Sequence, residues 1–66
     1  MSIAKVIEIS ASSSKSFEKA IKNGIKSAND SLQNITGAWI ESQKVTVKDG
    51  KINHYRVIMK VSFVLK

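Results

Sequence analysis

Hydrophobic and polar residues change their spacing along the chain, and each change marks a predicted element. The segment from Ile3 to Ser10 is short, rich in β-branched residues and only partly alternating, which predicts a strand inside a sheet. The run Ser12-Ser13-Ser14 follows it. Because a serine hydroxyl can accept a hydrogen bond from an unpaired helix N–H, one of these three serines is the predicted N-cap of a helix.

From Lys15 to Asn34 the spacing becomes helical. Apolar and small residues fall three and four positions apart and form one stripe: Phe17, Ala20, Ile21, Gly24, Ile25, Ala28 and Leu32. A glycine inside a helix costs about 1 kcal/mol relative to alanine. Gly24 lies on the stripe, so we expect the helix to approach the sheet closely at this position.

The last third of the chain predicts a β-hairpin around Lys48-Asp49-Gly50-Lys51. Asp-Gly favours a type I′ turn, which requires positive φ at both central residues. A two-residue loop pairs Lys48 with Lys51. On one face the register then pairs Ala38 with Val61, Ile40 with Met59, Ser42 with Val57 and Lys44 with Tyr55. That face continues along the last strand as an unbroken apolar row that must cover the helix stripe: Tyr55, Val57, Met59, Val61, Phe63 and Leu65.

The second face of the hairpin has nothing in the chain to cover it. The same register pairs Trp39 with Lys60, Glu41 with Ile58, Gln43 with Arg56, and Val45 with His54. A bulge would displace pairs far from the turn, so those near the turn are the most secure. The predicted fold is α+β: one domain over residues 1–66, with β-α-β-β order and a three-stranded antiparallel sheet packed on one helix.

Composition narrows the ways in which 66 residues can be stabilised. A domain of about 60 residues buries only about 60% of its unfolded surface and is marginally stable. The sequence has no cysteine and one histidine, His54, which excludes disulfides, thiolate metal sites and histidine-rich zinc sites. The remaining sources of stabilisation are a tightly packed core, a bound ligand or self-association. The sequence has no apolar run of about 20 residues and no recognisable signal peptide, so the cytoplasm is the expected compartment.

The net charge of +6 raises nucleic acids and anionic membranes as partners. Ten of the eleven basic residues are lysines, scattered from Lys5 to Lys66. Dedicated nucleic-acid binders cluster such residues and use more arginine. We therefore expect a solvated basic surface, with neither nucleic acid nor membrane as the partner.

Catalytic chemistry is hard to assemble from these residues, so we do not expect an enzyme. The five carboxylates are dispersed, there is no phosphate-binding glycine loop, and one histidine offers no spaced triad. Trp39 is a candidate oligomer contact or stacking platform for a flat ligand. Arg56 could bind a phosphate or carboxylate, or equally form an ion pair with Glu41 or Asp30 of a neighbouring subunit.

Three segments carry a likeness to a known family: KVIEIS at residues 5–10, the serine-rich segment with Phe17 four residues past Ser13, and the hairpin GAWIESQKVTVKDGKINHYRVIMKVSFVL. With them the chain resembles the dodecins over essentially its whole length, and HYRVIMKVSFVL is the most specific part. The resemblance implies a hollow homododecamer. Many dodecins bind riboflavin or related flavins in pairs between subunits and are regarded as flavin stores.

In flavin-binding dodecins a tryptophan at the start of the second strand stacks on the isoalloxazine, and a glutamine on the third strand hydrogen-bonds it. Aligned on the Asp49-Gly50 turn, the glutamine position falls on Arg56. The tryptophan position falls near Gly37, and Trp39 is two residues further along, a shift that keeps the same strand face. Dodecin-like proteins with this arginine resemble a branch for which small ions have been suggested as ligands.

We therefore expect a non-catalytic storage protein that binds riboflavin, FMN or a related flat anionic cofactor at subunit interfaces. The expected cofactor-binding residues are Trp39, Arg56 and Gln43, with His54 and Lys60 nearby. The alternative is a flavin-free dodecin-like assembly that acts as a structural or ion-binding shell. In that alternative Arg56 forms an intersubunit salt bridge and Trp39 is a packing anchor.

Overall fold

The computed structural model describes residues 3–65 and has the predicted β-α-β-β order. Its elements are β1 (Ile3–Ser13), α1 (Phe17–Ser31), β2 (Ile35–Lys48) and β3 (Lys51–Leu65). The three strands form one antiparallel sheet in the order β1-β3-β2. The outermost parts of the predicted 1–66 domain, residues 1, 2 and 66, lie outside the described residues.

The helix begins later than predicted, and its N-cap is Ser16. Ser16 has an extended backbone, and its hydroxyl accepts a hydrogen bond from the Lys19 N–H at 3.0 Å. The prediction of a cap at residue 12, 13 or 14 was wrong because Ser12 and Ser13 still belong to β1, which pairs with β3 as far as Ser13 and Tyr55, and Ser14 lies in the turn that follows. The Ser13 hydroxyl instead accepts from the Lys15 N–H at 2.9 Å and shapes the turn into α1.

The core lies between α1 and the β1–β3 part of the sheet. Ala20, Val57, Met59 and Val61 are buried there and are surrounded by partly buried apolar side chains: Ile7, Ile9, Ala11, Phe17, Ile21, Ile25 and Ile35. The close approach at Gly24 is confirmed. A Cβ on Gly24 would collide with the Met59 side chain and lie 3.0 Å from the Ala11 Cβ.

The apolar row of β3 is buried over only part of its predicted length. Val57, Met59, Val61 and Phe63 are buried against the helix side. Tyr55 is half-buried and packs edge-on against Phe17, with ring centroids 5.1 Å apart. Leu65 is 44% exposed, so the helix does not cover the whole row.

The hairpin turn is as predicted, but its register is not uniform. Lys48 pairs with Lys51, and both central residues have positive φ, 53° at Asp49 and 76° at Gly50. The register then shifts between Thr46 and Val47, shifts back between Ile40 and Ser42, and shifts once more between Ile35 and Gly37.

The first two shifts cancel, so the pairs farthest from the turn keep the predicted register. We had expected the pairs near the turn to be the most secure, and the opposite is found. The distant pairs are confirmed: Ala38 with Val61, Trp39 with Lys60, and Ile40 with Met59. The middle pairs nearer the turn were wrong, because one extra residue on β3 precedes them. The structure pairs Ser42 with Ile58, Gln43 with Val57, Lys44 with Arg56, Val45 with Tyr55, and Thr46 with His54. Glu41, expected opposite Ile58, lies at the second shift.

The isolated chain is elongated, because β2 extends the sheet beyond the helix. Its radius of gyration is 13.6 Å, whereas a compact domain of this length has about 10.8 Å. Its accessible surface is 4932 Å², compared with about 4,200 Å² for a typical monomer of this mass. Several large apolar side chains of the hairpin are exposed, including Trp39, Ile40, Val45, Val47 and Ile52. Within residues 3–65, no helix is both long and apolar enough to span a membrane.

Candidate functional site

The candidate site lies on the side of the sheet that faces away from α1, which we call the open face. Strand residues alternate between the two sides of a sheet. Since Val57, Met59 and Val61 point toward the helix, the intervening β3 residues define the open face: His54, Arg56, Ile58, Lys60 and Ser62. Their partners on β1 and β2 extend this face into rows across all three strands.

One row contains Trp39. Lys60 lies between Glu8 on β1 and Trp39 on β2, as the Cα partner of both. The Lys60 Nζ is 3.6 Å from the Glu41 Oε2, and both side chains are partly exposed. Trp39 itself is 47% exposed. This row therefore presents an aromatic surface beside one lysine and two carboxylates.

The row of Arg56 carries the opposite charge. Arg56 lies between Ser12 on β1 and Lys44 on β2. Both basic side chains are exposed, and neither takes part in an ion pair with another described residue. Like charges directly opposite each other on neighbouring strands repel. The Arg56 row is therefore strongly positive, whereas the carboxylates of the open face lie in the Trp39 row.

A pocket of about 400 Å³ lies beside the Arg56 row, and no residue of the Trp39 row lines it. We call it the open-face pocket, and it is lined by Ser10, Ser42, Gln43, Lys44, Arg56 and Ile58. None of these six residues is acidic. Lys60 and Arg56 are four residues apart on β3, about 13 Å along the strand.

The predicted site residues are only partly brought together. Trp39 and Arg56 share the open face. Gln43 was expected opposite Arg56, but it pairs with Val57, a residue of the helix side, although it also lines the pocket. The cause is the extra β3 residue near the turn, which moves every middle pair by one position.

His54 and Lys60 lie on either side of the pocket, at the ends of this stretch of β3. His54 is half-buried opposite Thr46, and its backbone N–H donates to the Thr46 hydroxyl at 3.0 Å. Lys44 was missed because the uniform register placed it opposite Tyr55. Ser10 and Ser42 were missed because small neutral side chains carry no signal in the sequence.

A larger groove, about 530 Å³, lies between α1 and the outer edge of β1. Its lining side chains are apolar, small or neutral: Ile7, Ile9, Ser10, Ala11, Ser12, Asn23, Gly24, Ser27, Ala28, Ser31 and Leu32. Neither Trp39 nor Arg56 reaches it. Without a charged or aromatic side chain it offers less to a polar ligand than the open-face pocket.

No cluster of three or more histidine, cysteine, aspartate or glutamate side chains is close enough to hold a metal ion within residues 3–65 of one chain. The nearest approach to such a set on the open face is Glu8 and Glu41 beside Lys60. Two carboxylates supply about four oxygen atoms at most, fewer than the six to eight oxygen ligands that Ca²⁺ takes.

The fold and the open face together define a small α+β domain in which one side of a sheet builds the core and the other is left uncovered. Residues 3–66 match the model of the Dodecin family, and the chain belongs to that family. The resemblance noted in the sequence is thereby confirmed.

Characterised relatives show how close the likeness is. The chain is 37% identical over 67 residues to calcium dodecin of Mycobacterium tuberculosis, an alignment that covers 100% of this chain and 93% of that protein. The structure of dodecin from Streptomyces davaonensis matches with a TM-score of 0.94 and 32% identity, over 98% of this chain and 96% of the other.

A crystal structure of the M. tuberculosis protein matches with a TM-score of 0.84 and 35% identity, over 97% and 91% of the two chains. That protein is a calcium-chelating antigen with a novel calcium-binding site.

Proposed function

We propose that the protein is a non-catalytic flavin store that binds riboflavin or FMN at interfaces between subunits of a homododecamer. Flavin binding is typical of the dodecin family. The observation that carries the proposal is Trp39, which is 47% exposed on a sheet face that the chain itself leaves uncovered. A flat ring stacked on it would be protected from solvent by the neighbouring subunit.

Self-association is supported by the shape of the subunit. The hairpin exposes large apolar side chains on an elongated body whose surface exceeds that of a typical monomer. Burying such side chains against other copies removes apolar surface from water. Size-exclusion chromatography with light scattering tests this: the proposal expects a mass of about twelve chains, and a monomer at micromolar concentration contradicts it.

In the proposed complex three residues have different roles. Trp39 stacks on the ring through its indole face. Arg56 donates hydrogen bonds to a carbonyl edge or a phosphate, because a guanidinium is donor-only. Gln43 lines the open-face pocket beside Arg56 and can both donate to and accept from the ligand.

Titration of flavin fluorescence tests the proposal. We expect the purified protein at micromolar concentration to quench riboflavin or FMN. Trp39→Ala should weaken binding by about 5- to 150-fold, since aromatic stacking contributes about 1–3 kcal/mol per ring in comparable sites. Val47→Ala is the control, because it truncates another exposed apolar side chain of the hairpin away from Trp39. Absence of quenching by the wild-type protein contradicts flavin storage.

A second candidate function is an ion-binding shell, favoured by the 37% identical calcium dodecin. Because Glu8 and Glu41 of one chain supply too few ligands, the ion would need carboxylates from several subunits. Calorimetric titration with CaCl₂ tests this, with Glu41→Gln expected to abolish binding and Glu18→Gln, on the outer face of α1, as the control.

Arg56→Ala separates the two candidates. In the flavin store it weakens ligand binding and leaves the assembly intact. In the shell, where Arg56 forms an intersubunit salt bridge, it disrupts the assembly and the wild-type protein is colourless.

A further inference from the structure

We infer that His54 is a pH-sensitive switch of the assembly: the subunits hold together while its imidazole is neutral and separate when the imidazole is protonated. The inference rests on the proposed assembly through the open face, and it does not depend on which ligand the protein binds. Histidine is the side chain type whose charge changes between about pH 5 and 8. The sequence has one histidine and no cysteine, so a response in this range can be traced to one side chain.

The bulge near the hairpin turn places His54 on the open face. The register set at the turn would pair Thr46 with Asn53, an amide that does not titrate. Asn53 is instead the extra residue of β3, and Thr46 pairs with His54. The Thr46 hydroxyl accepts a hydrogen bond from the His54 backbone N–H at 3.0 Å, which fixes the strand at this point. Bulges are frequent next to functional sites, where they redirect a side chain.

The charged groups near His54 on the open face are cations. Arg56 is two residues along the same strand, about 7 Å away. Lys44 and Lys48 lie diagonally on β2, two residues on either side of its partner and about 7–8 Å away. β1 adds only neutral serines to this end of the open face, and α1 lies on the other side of the sheet. The basic residues of this end of the hairpin are Lys44, Lys48, Lys51 and Arg56.

Almost no negative charge offsets these cations. Residues 44–56 contain four basic residues and one acidic residue, Asp49, which gives a net charge of +3 with His54 neutral. Neither Asp49 nor His54 takes part in an ion pair with another described residue. A proton on His54 therefore adds a like charge to a region that supplies no carboxylate partner, and like charges at this distance repel.

Assembly makes that proton more costly. Where open faces meet in the proposed assembly, water is excluded, salt screens the charges less, and a cation without a partner is destabilising. Separation returns His54 to solvent, so the separated subunits bind more protons than the assembled ones, and a fall in pH favours separation. A homododecamer contains one such histidine in every subunit, which makes the response steeper than that of a single group.

Light scattering of the wild-type protein at several pH values tests the inference, at constant protein concentration and without flavin. The range from pH 8 to about pH 5.5 stays above the usual titration of carboxylates. We expect one large assembly at pH 8 and a dissociated fraction at least about tenfold larger at the lower pH. In 1 M NaCl, where the Debye length falls to about 3 Å, this difference should shrink severalfold.

Two substitutions of His54 should act in opposite directions. His54→Gln keeps a neutral hydrogen-bonding side chain and should remain assembled at the lower pH. His54→Lys carries the charge permanently and should separate already at pH 8. Asn53→Lys is the matched control, because it adds the same charge at the adjacent, exposed bulge residue, and it should behave like the wild type at both pH values. Helix content by circular dichroism should be equal in all four proteins, since neither residue belongs to the core.

Three outcomes overturn the inference. The first is a wild-type assembly that is equally stable at both pH values. The second is dissociation by acid that persists unchanged in His54→Gln, which assigns the response to other groups. The third is an assembly that becomes more stable on acidification, which indicates a carboxylate of a neighbouring subunit as the partner of His54.

These outcomes are separate from the failure of flavin storage. Absence of flavin quenching together with dissociation that depends on His54 rejects the store and supports the switch. Flavin quenching by an assembly that does not respond to pH supports the store and rejects the switch. A wild-type monomer at pH 8 contradicts the proposed homododecamer and the switch together.

Discussion

The two sides of β3 differ sharply although their residues alternate along one strand. Val57, Met59 and Val61 are fully buried under α1, whereas Arg56 and Ile58, their neighbours in sequence, are exposed on the open face. The first set holds the subunit together. The second set carries charge, an apolar side chain and a pocket that the folding of one chain does not require. The core of the subunit therefore lies on one side of the sheet, and the proposed ligand site lies on the other.

The largest expected effect comes from a pair of truncations on these two sides. Met59→Ala should lower the free energy of unfolding by about 2–5 kcal/mol, because it leaves a cavity in a core where Met59 is 0% exposed. Urea denaturation at several protein concentrations measures this loss, which should appear at every concentration.

Ile58→Ala is the matched control, since Ile58 is 38% exposed on the open face. Its effect should depend on protein concentration, as expected for a contact between subunits. A concentration-independent loss as large as that of Met59→Ala would show that the open face also belongs to the core of the subunit.

The contact between α1 and the sheet gives the next largest effect. Gly24→Ala should destabilise the protein by about 1–2 kcal/mol, because overpacking against Met59 and Ala11 outweighs the better helix propensity of alanine. The midpoint of urea denaturation measures it. A Cβ on Gly37 would have only an ordinary contact, 3.5 Å from the Ser62 Oγ, so Gly37→Ala should change stability little. A stabilised Gly24→Ala protein would contradict the close packing on the helix side.

The start of α1 provides a smaller effect. Ser16→Ala should cost about 1 kcal/mol, because the Lys19 N–H loses the hydroxyl that accepts its hydrogen bond. Ser14→Ala is the control, since Ser14 is exposed and precedes the cap. Thermal denaturation followed by circular dichroism compares them, and equal losses in both variants would refute Ser16 as the cap.

The smallest effect is expected on the open face itself. Glu41→Gln should change the free energy of unfolding by less than about 1 kcal/mol, because the ion pair of Glu41 with Lys60 is long and partly exposed. Denaturation in low and high salt measures this contribution. A loss of several kcal/mol would mean that the open face contributes to the stability of the subunit as much as the helix side does.

The sequence predicts the helix side better than the open face, and the reasons are physical. The alternation of Val57, Met59 and Val61, the helical stripe and the Asp49-Gly50 turn each express a strong local preference. The N-cap was misplaced because the pairing of Ser12 and Ser13 with the long β3 is a tertiary effect. The sequence has no glycine or other sign of a register shift near Glu41. The shifts nevertheless determine that Lys44, and not Gln43, lies opposite Arg56.

The central claim is that a flat ligand stacks on Trp39 on the open face, and tryptophan fluorescence tests it most directly. Trp39 is the only tryptophan of the sequence, so its emission reports on this site alone. We predict that FMN quenches this emission saturably and far more strongly than it quenches free N-acetyltryptophanamide at the same concentration. Identical, non-saturating attenuation of protein and free tryptophanamide would contradict the account.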